Sequence, residues 1–160
     1  MVDVDDPAPD FTAPLAHGDD EVTPFTLADH LDEGPTVLAF FPGAFTGACT
    51  SEMNAFQRLL DDLGEAGGTL YGVSVDSPFS LNEFRAQEGL EFGLISDTNK
   101  ELIAAYDVEM DFADLGYYGV AQRSVFVVDT DGVVTYRWVT EDPGVEPDYE
   151  DVLEAARDAS

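Results

Sequence analysis

The feature that most constrains the fold is a short apolar run, Pro35 to Phe41, followed directly by a segment with helical spacing. A run of this length, rich in aliphatic and aromatic residues, is typical of a buried central strand. From Thr46 to Leu63 one helical face is apolar; it consists of Met53, Phe56, Leu59, Leu60 and Leu63. A second apolar run, Thr69 to Val75, predicts another buried strand. Strand, helix and strand in this order favour parallel pairing through a right-handed crossover.

The rest of the chain continues the alternation of strands and helices. A helix is predicted from Pro78 to Glu88, with Ser77 as its N-cap and proline at its first position. The further predicted elements are a strand over 92–95, a helix over 99–106, hairpin strands over 123–128 and 133–139, and a helix over 147–158. Residues 6–24 contain four prolines, which predicts extended or turn-rich structure. We therefore expect a single α/β domain over residues 1–160, with a mixed β-sheet covered by helices on both faces.

The charge of the chain is strongly one-sided. It has 34 Asp and Glu residues against six Lys and Arg, a formal net charge of −28. The acids are spread along the chain, which indicates a solvated surface suited to very high salt, where repulsion between like charges is screened. A basic partner or metal binding is the alternative interpretation. Nucleic acid is not an expected partner, because few cations are available to neutralise phosphates.

The expected cellular location and redox chemistry follow from the apolar runs, the first residues and the cysteine count of the sequence. No apolar run approaches the ~18 residues needed to span a membrane, and the first residues lack the pattern of a signal peptide. The chain has one cysteine, Cys49, so an internal disulfide, a CxxC pair and a multi-cysteine zinc site are excluded. We expect a cytoplasmic protein without a metal or other bound cofactor.

One segment carries candidate chemistry: Pro42-Gly43-Ala44-Phe45-Thr46-Gly47-Ala48-Cys49, between the first strand and the first helix. Ligands of α/β sheets bind at this end of a strand. Cys49 falls at the start of the helix, where free N–H groups and the helix dipole favour a thiolate. Thr46 lies one turn earlier and can donate or accept a hydrogen bond beside the sulfur. Pro42 fixes the backbone where the chain leaves the strand.

The pattern Pro42-x-x-x-Thr46-x-x-Cys49 resembles the active-site signature of the peroxiredoxins. Two other segments, Pro7-Ala8-Pro9-Asp10-Phe11 and Arg123-Ser124-Val125-Phe126-Val127-Val128-Asp129, also resemble family segments and occur in the same order. The resemblance runs from about residue 7 to beyond residue 139. It implies a thioredoxin-like fold and a thiol peroxidase that acts on hydrogen peroxide, alkyl hydroperoxides or both.

The resemblance also implies a role for each matching residue. Cys49 is the thiolate that attacks the peroxide and becomes a sulfenic acid, and Thr46 hydrogen-bonds the peroxide. Arg123 stabilises the thiolate and the departing oxygen. A donor aimed at the departing oxygen stabilises the transition state of the reaction, in which negative charge develops on that oxygen. Pro42 shields the sulfur, and backbone N–H groups around Ala48 and Cys49 complete the pocket.

Two further expectations concern residues around this motif. Glu52, one turn after Cys49, is expected to orient Arg123. Family branches that form a disulfide carry a second cysteine, but this chain has Asn54 at one such position and no Val-Cys-Pro segment in its tail. The sulfenic acid must then be reduced by an external thiol, either a small molecule or a redoxin protein. A disulfide between two copies of Cys49 is a further possibility, and a homodimer is common in the family.

Several simpler interpretations stand beside these. A lone cysteine is often a small buried hydrophobe. His17 and His30 are interpreted as surface residues, although a Cys–His pair formed in space stays open. Four acids between residues 107 and 114 allow a weak divalent-cation site. The main aromatic residues are interpreted as core, with a subset near the motif as a candidate dimer surface; they are Phe45, Phe79, Phe84, Phe92, Phe112, Tyr117 and Tyr118.

Two rival functions remain at this point. A thiol-disulfide oxidoreductase would share the fold, but it normally needs the CxxC pair that this chain lacks. A non-catalytic thioredoxin-fold module, acting as a redox sensor or a chaperone, would oxidise once without turnover.

Overall fold

The structure is a computed structural model and describes residues 2–18 and 21–160. A mixed seven-stranded sheet lies at the centre of this part of the chain. The strands are β1 (Thr12–Gly18), β2 (Glu21–Thr26), β3 (Thr36–Phe40), β4 (Thr69–Ser74), β5 (Gly93–Ser96), β6 (Glu109–Phe112), β7 (Tyr117–Ala121), β8 (Ser124–Val128) and β9 (Val134–Val139). The helices are α1 (Gly47–Glu65), α2 (Pro78–Glu88), α3 (Glu101–Ala105) and α4 (Tyr149–Ala159). The sheet has the order β2-β1-β5-β4-β3-β8-β9, and β6 pairs with β7 outside it.

The inner strands pair as the sequence predicts. β3 runs parallel to β4, and β4 runs parallel to β5. β8 is antiparallel to both β3 and β9, so the hairpin supplies the antiparallel part of the sheet. The predicted mixed α/β sheet is confirmed.

Alternate residues of the central strands enter two separate cores. Val37 and Ala39 of β3 face a core that contains side chains of α1, α2 and α4. Leu38 and Phe40 face the opposite core, which contains side chains of α3 and the residues after it. Every residue of β3 is buried, because helices cover both faces of the sheet, as predicted.

The helix boundaries agree closely with the sequence patterns. α2 begins at Pro78, and the Ser77 side chain accepts a hydrogen bond from the Ser80 N–H (3.1 Å), which is the predicted cap. α1 runs from Gly47, one residue after the predicted start, to Glu65. The chain then leaves the helix through Gly67, whose φ of +80° suits glycine.

Two hairpins differ from the expectation. The proline-rich segment forms the antiparallel pair β1–β2, which joins the sheet through β5. Prolines fit there because Pro14 and Pro24 lie opposite each other, outside the short stretch in which Leu15 and Ala16 pair with β5. The β6–β7 pair lies in a region for which no strand was predicted and for which only the acidic segment 107–114 was noted.

Three of the seven aromatic residues interpreted as core are exposed, and one of them, Phe45, lies in the motif, where an exposed subset was the alternative. Phe84 and Phe92 are buried, whereas Phe45, Phe79 and Tyr118 are 52%, 75% and 58% exposed. Phe79 lies in the first turn of α2, on the side away from the sheet, because the buried residues of that helix are Leu81, Asn82, Phe84 and Arg85. Phe112 and Tyr117 are half-buried.

Among the helices of the described residues, none combines the length and apolar character needed to cross a bilayer.

Candidate active site

Cys49 lies in the first turn of α1, directly beyond the end of the central strand β3. Its side chain is buried, with 1% of its surface exposed. Thr46 is the N-cap residue, with extended backbone angles, but its side chain makes no capping hydrogen bond. The first turn also contains no acidic residue. The positive end of the helix is therefore open to an anion at Cys49.

The Thr46 hydroxyl acts as a hydrogen-bond donor within the loop. It donates a hydrogen bond to the Gly43 carbonyl oxygen (2.8 Å). Since a hydroxyl has one proton to donate, the Thr46 oxygen is left to accept a hydrogen bond from a ligand.

Several contacts fix the loop that carries Thr46. The Ala44 N–H donates to Asp76 Oδ2 (2.8 Å), and the Ser74 hydroxyl donates to the same oxygen (2.7 Å). The Tyr117 hydroxyl donates to the Pro42 carbonyl (3.2 Å). Phe45 adopts a φ of +70°, which costs about 1–2 kcal/mol for a residue with a side chain. These bonds hold the strained loop in place.

Arg123, immediately before β8, is the charged group that contacts the sulfur. It is 1% exposed, and its Nη2 lies 3.3 Å from Cys49 Sγ. Nη1 donates to Glu52 Oε1 (2.7 Å), while Nε and Nη2 donate to the Pro143 carbonyl (3.2 and 2.8 Å). The guanidinium is therefore held by Glu52 and by the Pro143 carbonyl, with one N–H directed at the sulfur.

Glu52 is a fully buried acid behind Arg123. Its exposed fraction is 0%, and within the described residues its Oε2 has no hydrogen-bond partner. Burial raises the pKa of Glu52 to about 8, against the opposing attraction of Arg123. For Arg123, burial acts to lower the pKa, but the neighbouring Glu52 and Cys49 raise it overall. Arg123 thus stays a cation that faces two acids.

A cavity of about 240 Å³ opens over Cys49. Its lining includes the predicted residues Pro42, Thr46, Ala48, Cys49 and Arg123. The opposite wall comes from the unpredicted β6–β7 region and from the loop after β9; it includes Phe112, Leu115, Tyr117 and Pro143. The arrangement can seat a small molecule between a buried sulfur, a cation and a hydrogen-bond acceptor.

Comparison with known proteins agrees with this arrangement. Residues 4–137 match the AhpC/TSA family. The chain belongs to this family. It is 37% identical over 139 residues to a chloroplastic 2-cysteine peroxiredoxin of Chattonella marina var. antiqua, covering 82% of this chain and 68% of that protein. It is 31% identical over 144 residues to alkyl hydroperoxide reductase C of Helicobacter pylori strain J99, covering 85% and 70%.

Solved structures similar to this AhpC/TSA chain include peroxidoxin BcpB of Mycobacterium tuberculosis. The two share 27% sequence identity with a TM-score of 0.85, over 100% of this chain and 99% of that one. AhpC of the same organism aligns with a TM-score of 0.83 at 28% identity, over 98% and 92%. The thioredoxin-like fold implied by the sequence resemblance is confirmed.

The structure of this AhpC/TSA chain brings the predicted site residues into one place. Pro42, Thr46, Ala48, Cys49 and Arg123 surround the cavity, with Glu52 bonded behind the arginine. Sequence reasoning missed the residues that support them: Asp76, Tyr117, Pro143 and the cavity wall at Phe112 and Leu115. Asp76 has a usable signal, because it directly follows a buried strand at the ligand-binding edge of the sheet.

The histidines of this AhpC/TSA chain lie elsewhere. The His17 side chain forms a hydrogen bond with the Thr23 hydroxyl. The His30 side chain forms a hydrogen bond with Glu33 and stacks on the ring of Phe25. The charged partner of Cys49 is Arg123 rather than a histidine. Among residues 2–18 and 21–160, no group of three or more His, Cys, Asp or Glu side chains is arranged to hold a metal ion.

Proposed function

We propose that the protein is a thiol peroxidase that reduces hydrogen peroxide, alkyl hydroperoxides or both through Cys49. The observation that carries this proposal is the 3.3 Å contact between Cys49 Sγ and Arg123 Nη2 beside the cavity at the start of α1. Family membership points to the same chemistry, since the relatives include peroxiredoxins and an alkyl hydroperoxide reductase. The reaction uses the thiol itself and requires no prosthetic group.

In the first step the Cys49 thiolate attacks the outer oxygen of the peroxide. A sulfur–oxygen bond forms, the O–O bond breaks, and the leaving oxygen departs as water or an alcohol after it takes up one proton. The Thr46 oxygen accepts a hydrogen bond from the peroxide O–H, and Arg123 donates to the oxygen on which negative charge develops. Donors held in advance at that oxygen stabilise the transition state.

The remaining groups shape the pocket for this attack. Backbone N–H groups of Ala48 and Cys49 direct the positive end of α1 at the reacting atoms. Pro42 covers the sulfur without adding a competing donor.

The second step needs an external reductant, because Cys49 is the chain's one cysteine. A thiol condenses with the sulfenic acid, releasing water and forming a mixed disulfide. A second thiol then displaces Cys49 and leaves as the disulfide product. The reductant is a small-molecule thiol or a redoxin protein.

The proposed assembly is a homodimer. Phe45, in the active-site loop, and Phe79, in the first turn of α2, are exposed large apolar side chains. Phe45 also contacts Phe84 of α2, with 5.3 Å between the ring centroids. Buried cores of interfaces are rich in such aromatic residues. Light scattering should give twice the chain mass for the wild type and one chain mass for the Phe45→Ser, Phe79→Ser double variant. A wild-type monomer contradicts the dimer.

A cytoplasmic location in a salt-rich cell stays a prediction from cysteine count and charge.

Intact mass spectrometry tests the proposed function. One equivalent of peroxide should add one oxygen to the wild-type chain and none to Cys49→Ser. Added thiol should restore the original mass and support continued consumption of peroxide. If oxidation occurs once and no reductant gives turnover, a redox-sensing module is the better account. If the protein reduces insulin disulfides but does not react with peroxide, it is a thiol-disulfide oxidoreductase.

A further inference from the structure

Glu52 is a buried acid that holds Arg123 but takes no direct part in the two chemical steps proposed above. It lies on α1 with an exposed fraction of 0%, and it bonds Arg123 through Oε1. Within the described structure Oε2 has no partner. An ionised carboxylate with an unpaired buried oxygen is costly, whereas a neutral acid in the same place is less so.

The charges around Glu52 do not balance if every acid is ionised. Arg123 supplies one positive charge, shared between Glu52 Oε1 (2.7 Å) and Cys49 Sγ (3.3 Å). From the segment that leads into α4, Glu146 adds further negative charge near Glu52. The Tyr149 hydroxyl beside it is neutral and donates to Glu146. A thiolate and a carboxylate together would leave this buried group with an excess negative charge.

Of the two acids on Arg123, Cys49 is better placed to be the anion. Its sulfur lies at the start of α1, where the helix dipole and uncapped N–H groups favour negative charge. Glu52 lies in the second turn, beyond the reach of those groups.

We propose that Glu52 holds a proton while Cys49 is a thiolate and loses it when Cys49 becomes a sulfenic acid. The inference rests on the peroxidase function proposed above. Arg123 is then always balanced by one anion: the sulfur before the reaction and the Glu52 carboxylate after it. The raised pKa of Glu52 agrees with a protonated acid at neutral pH.

The exchange balances in atoms and charge. The thiolate, the peroxide and protonated Glu52 become the neutral sulfenic acid, water or an alcohol, and the Glu52 carboxylate. The sulfur is oxidised and the peroxide oxygens are reduced. One proton leaves Glu52 and one is taken up by the leaving oxygen, so the site has the same net charge before and after. Glu52 acts through Arg123 and is a positioning residue that also exchanges a proton.

Infrared difference spectroscopy of the intact protein tests this directly. Oxidation by one equivalent of hydrogen peroxide near neutral pH should remove a protonated carboxylic C=O band and add a carboxylate band. Deuterium oxide should shift the carboxylic band. The change should be absent in Glu52→Gln and present in Glu154→Gln, the matched control, since Glu154 is an exposed acid on α4. Wild-type protein that oxidises fully without losing a carboxylic band overturns the inference.

Proton counting with a pH indicator in weak buffer gives a second measurement. The wild type should take up no net proton as Cys49 is oxidised, whereas Glu52→Gln should take up one proton per thiol. Equal uptake of one proton by both proteins overturns the inference. The two proposals fail in different ways: a Cys49 that does not react with peroxide overturns both, and a reactive Cys49 with an unchanged carboxylic band overturns only the role of Glu52.

Discussion

At the scale of single residues, the proposed reactivity of Cys49 rests on the groups that surround the sulfur. Arg123 directs one N–H at Sγ while its other donors are held by Glu52 and the Pro143 carbonyl. The Thr46 hydroxyl donates its hydrogen bond to the Gly43 carbonyl, so its oxygen is left to act as an acceptor. An arginine fixed in advance loses little conformational freedom when the peroxide binds.

Replacing Arg123 tests this dependence. Arg123→Met should slow oxidation of Cys49 by about 10²–10³-fold, the usual effect of removing a donor to a developing negative charge. The pH–rate profile should also move to higher pH, because the thiolate loses its cation. Arg58→Met is the matched control, since Arg58 is exposed on α1, and it should leave the rate unchanged. An unaltered profile in Arg123→Met would remove Arg123 from the site.

Replacing the Thr46 hydroxyl tests the other side of the pocket. Thr46→Val should slow oxidation of Cys49 by about 5- to 10-fold, as expected from the loss of one hydrogen bond worth about 1–1.5 kcal/mol. Thr46→Ser keeps the hydroxyl and should retain most of the rate. Stopped-flow measurement of all three proteins decides the point; equal rates for the valine and serine variants would contradict the role of the hydroxyl.

Glu52 gives the fold a pH dependence of known sign. Its pKa is raised from 4.5 to about 8 on folding, so the folded state binds this proton more tightly than the unfolded state. The Glu52 contribution to stability is fully present below pH 4.5 and is lost as pH rises toward about 8.

The corresponding experiment is denaturant unfolding of the reduced protein at fixed salt across that pH range. The unfolding free energy of the wild type should fall with rising pH relative to Glu52→Gln, by an amount on the order of a few kcal/mol. The exposed Glu154→Gln variant should follow the wild type. A parallel pH dependence in the wild type and Glu52→Gln would show that Glu52 does not carry this proton.

At the scale of secondary-structure elements, α4 and the segment before it support the start of α1. Tyr149 packs on Phe56 of α1, with ring centroids 5.1 Å apart. The Ser51 hydroxyl donates to Glu146 (3.1 Å), and the Pro143 carbonyl accepts from Arg123. The chain after β9 therefore connects the helix of Cys49 to Arg123, immediately before β8.

The N-cap of α4 should contribute measurably to stability. Asp148 accepts hydrogen bonds from the N–H groups of Glu150 and Asp151. Asp148→Ala should lower the unfolding free energy by about 1 kcal/mol, while Asp148→Asn, which keeps the cap, should lower it by less. Denaturant unfolding compares the two, and an alanine variant as stable as the wild type would contradict the contribution of this cap.

Which strands and helices could be predicted from the sequence depended on how clear their apolar patterns are. β3, β4 and α1 were predictable because buried strands and an amphipathic helix leave strong apolar patterns, as in Val37 to Phe41. The loop around Cys49 and its link to Arg123 followed from resemblance. β1 and β2 were missed because their prolines indicate turns, although extended structure was expected there.

The β6–β7 hairpin was not predicted, because the acids of this segment were interpreted only as a candidate cation site. Glu109 and Asp111 alternate with Met110 and Phe112, and the structure shows that alternation as exposed and half-buried positions. This was a usable strand signal. The position of Asp76 at the edge of the sheet was predictable, but its contact with Ala44 and that of Pro143 with Arg123 were not, because each joins residues far apart in the sequence.

At the scale of the whole molecule, the dominant property is the net charge of −28. Most acids lie on the surface, and repulsion among them opposes the compact state at low ionic strength. The buried charge at the active site is instead paired through Arg123, so screening by salt affects it much less.

Stability should therefore rise with salt. Raising potassium chloride from about 0.01 M to 1 M shortens the Debye length from about 30 Å to 3 Å, so the thermal unfolding midpoint should increase. A chloride salt is used because sulfate stabilises proteins generally by exclusion from their surface. A midpoint that is independent of potassium chloride, or falls with it, would contradict the role of surface repulsion.

The central claim is that the pocket makes Cys49 a peroxide-reactive nucleophile. The most direct test is the second-order rate constant for Cys49 oxidation by hydrogen peroxide, measured by stopped flow and compared with free cysteine at an equal concentration of thiolate. Fixed donors at the reacting oxygen should make Cys49 at least about 100-fold faster. A Cys49 thiolate that reacts no faster than the free cysteine thiolate would contradict the account.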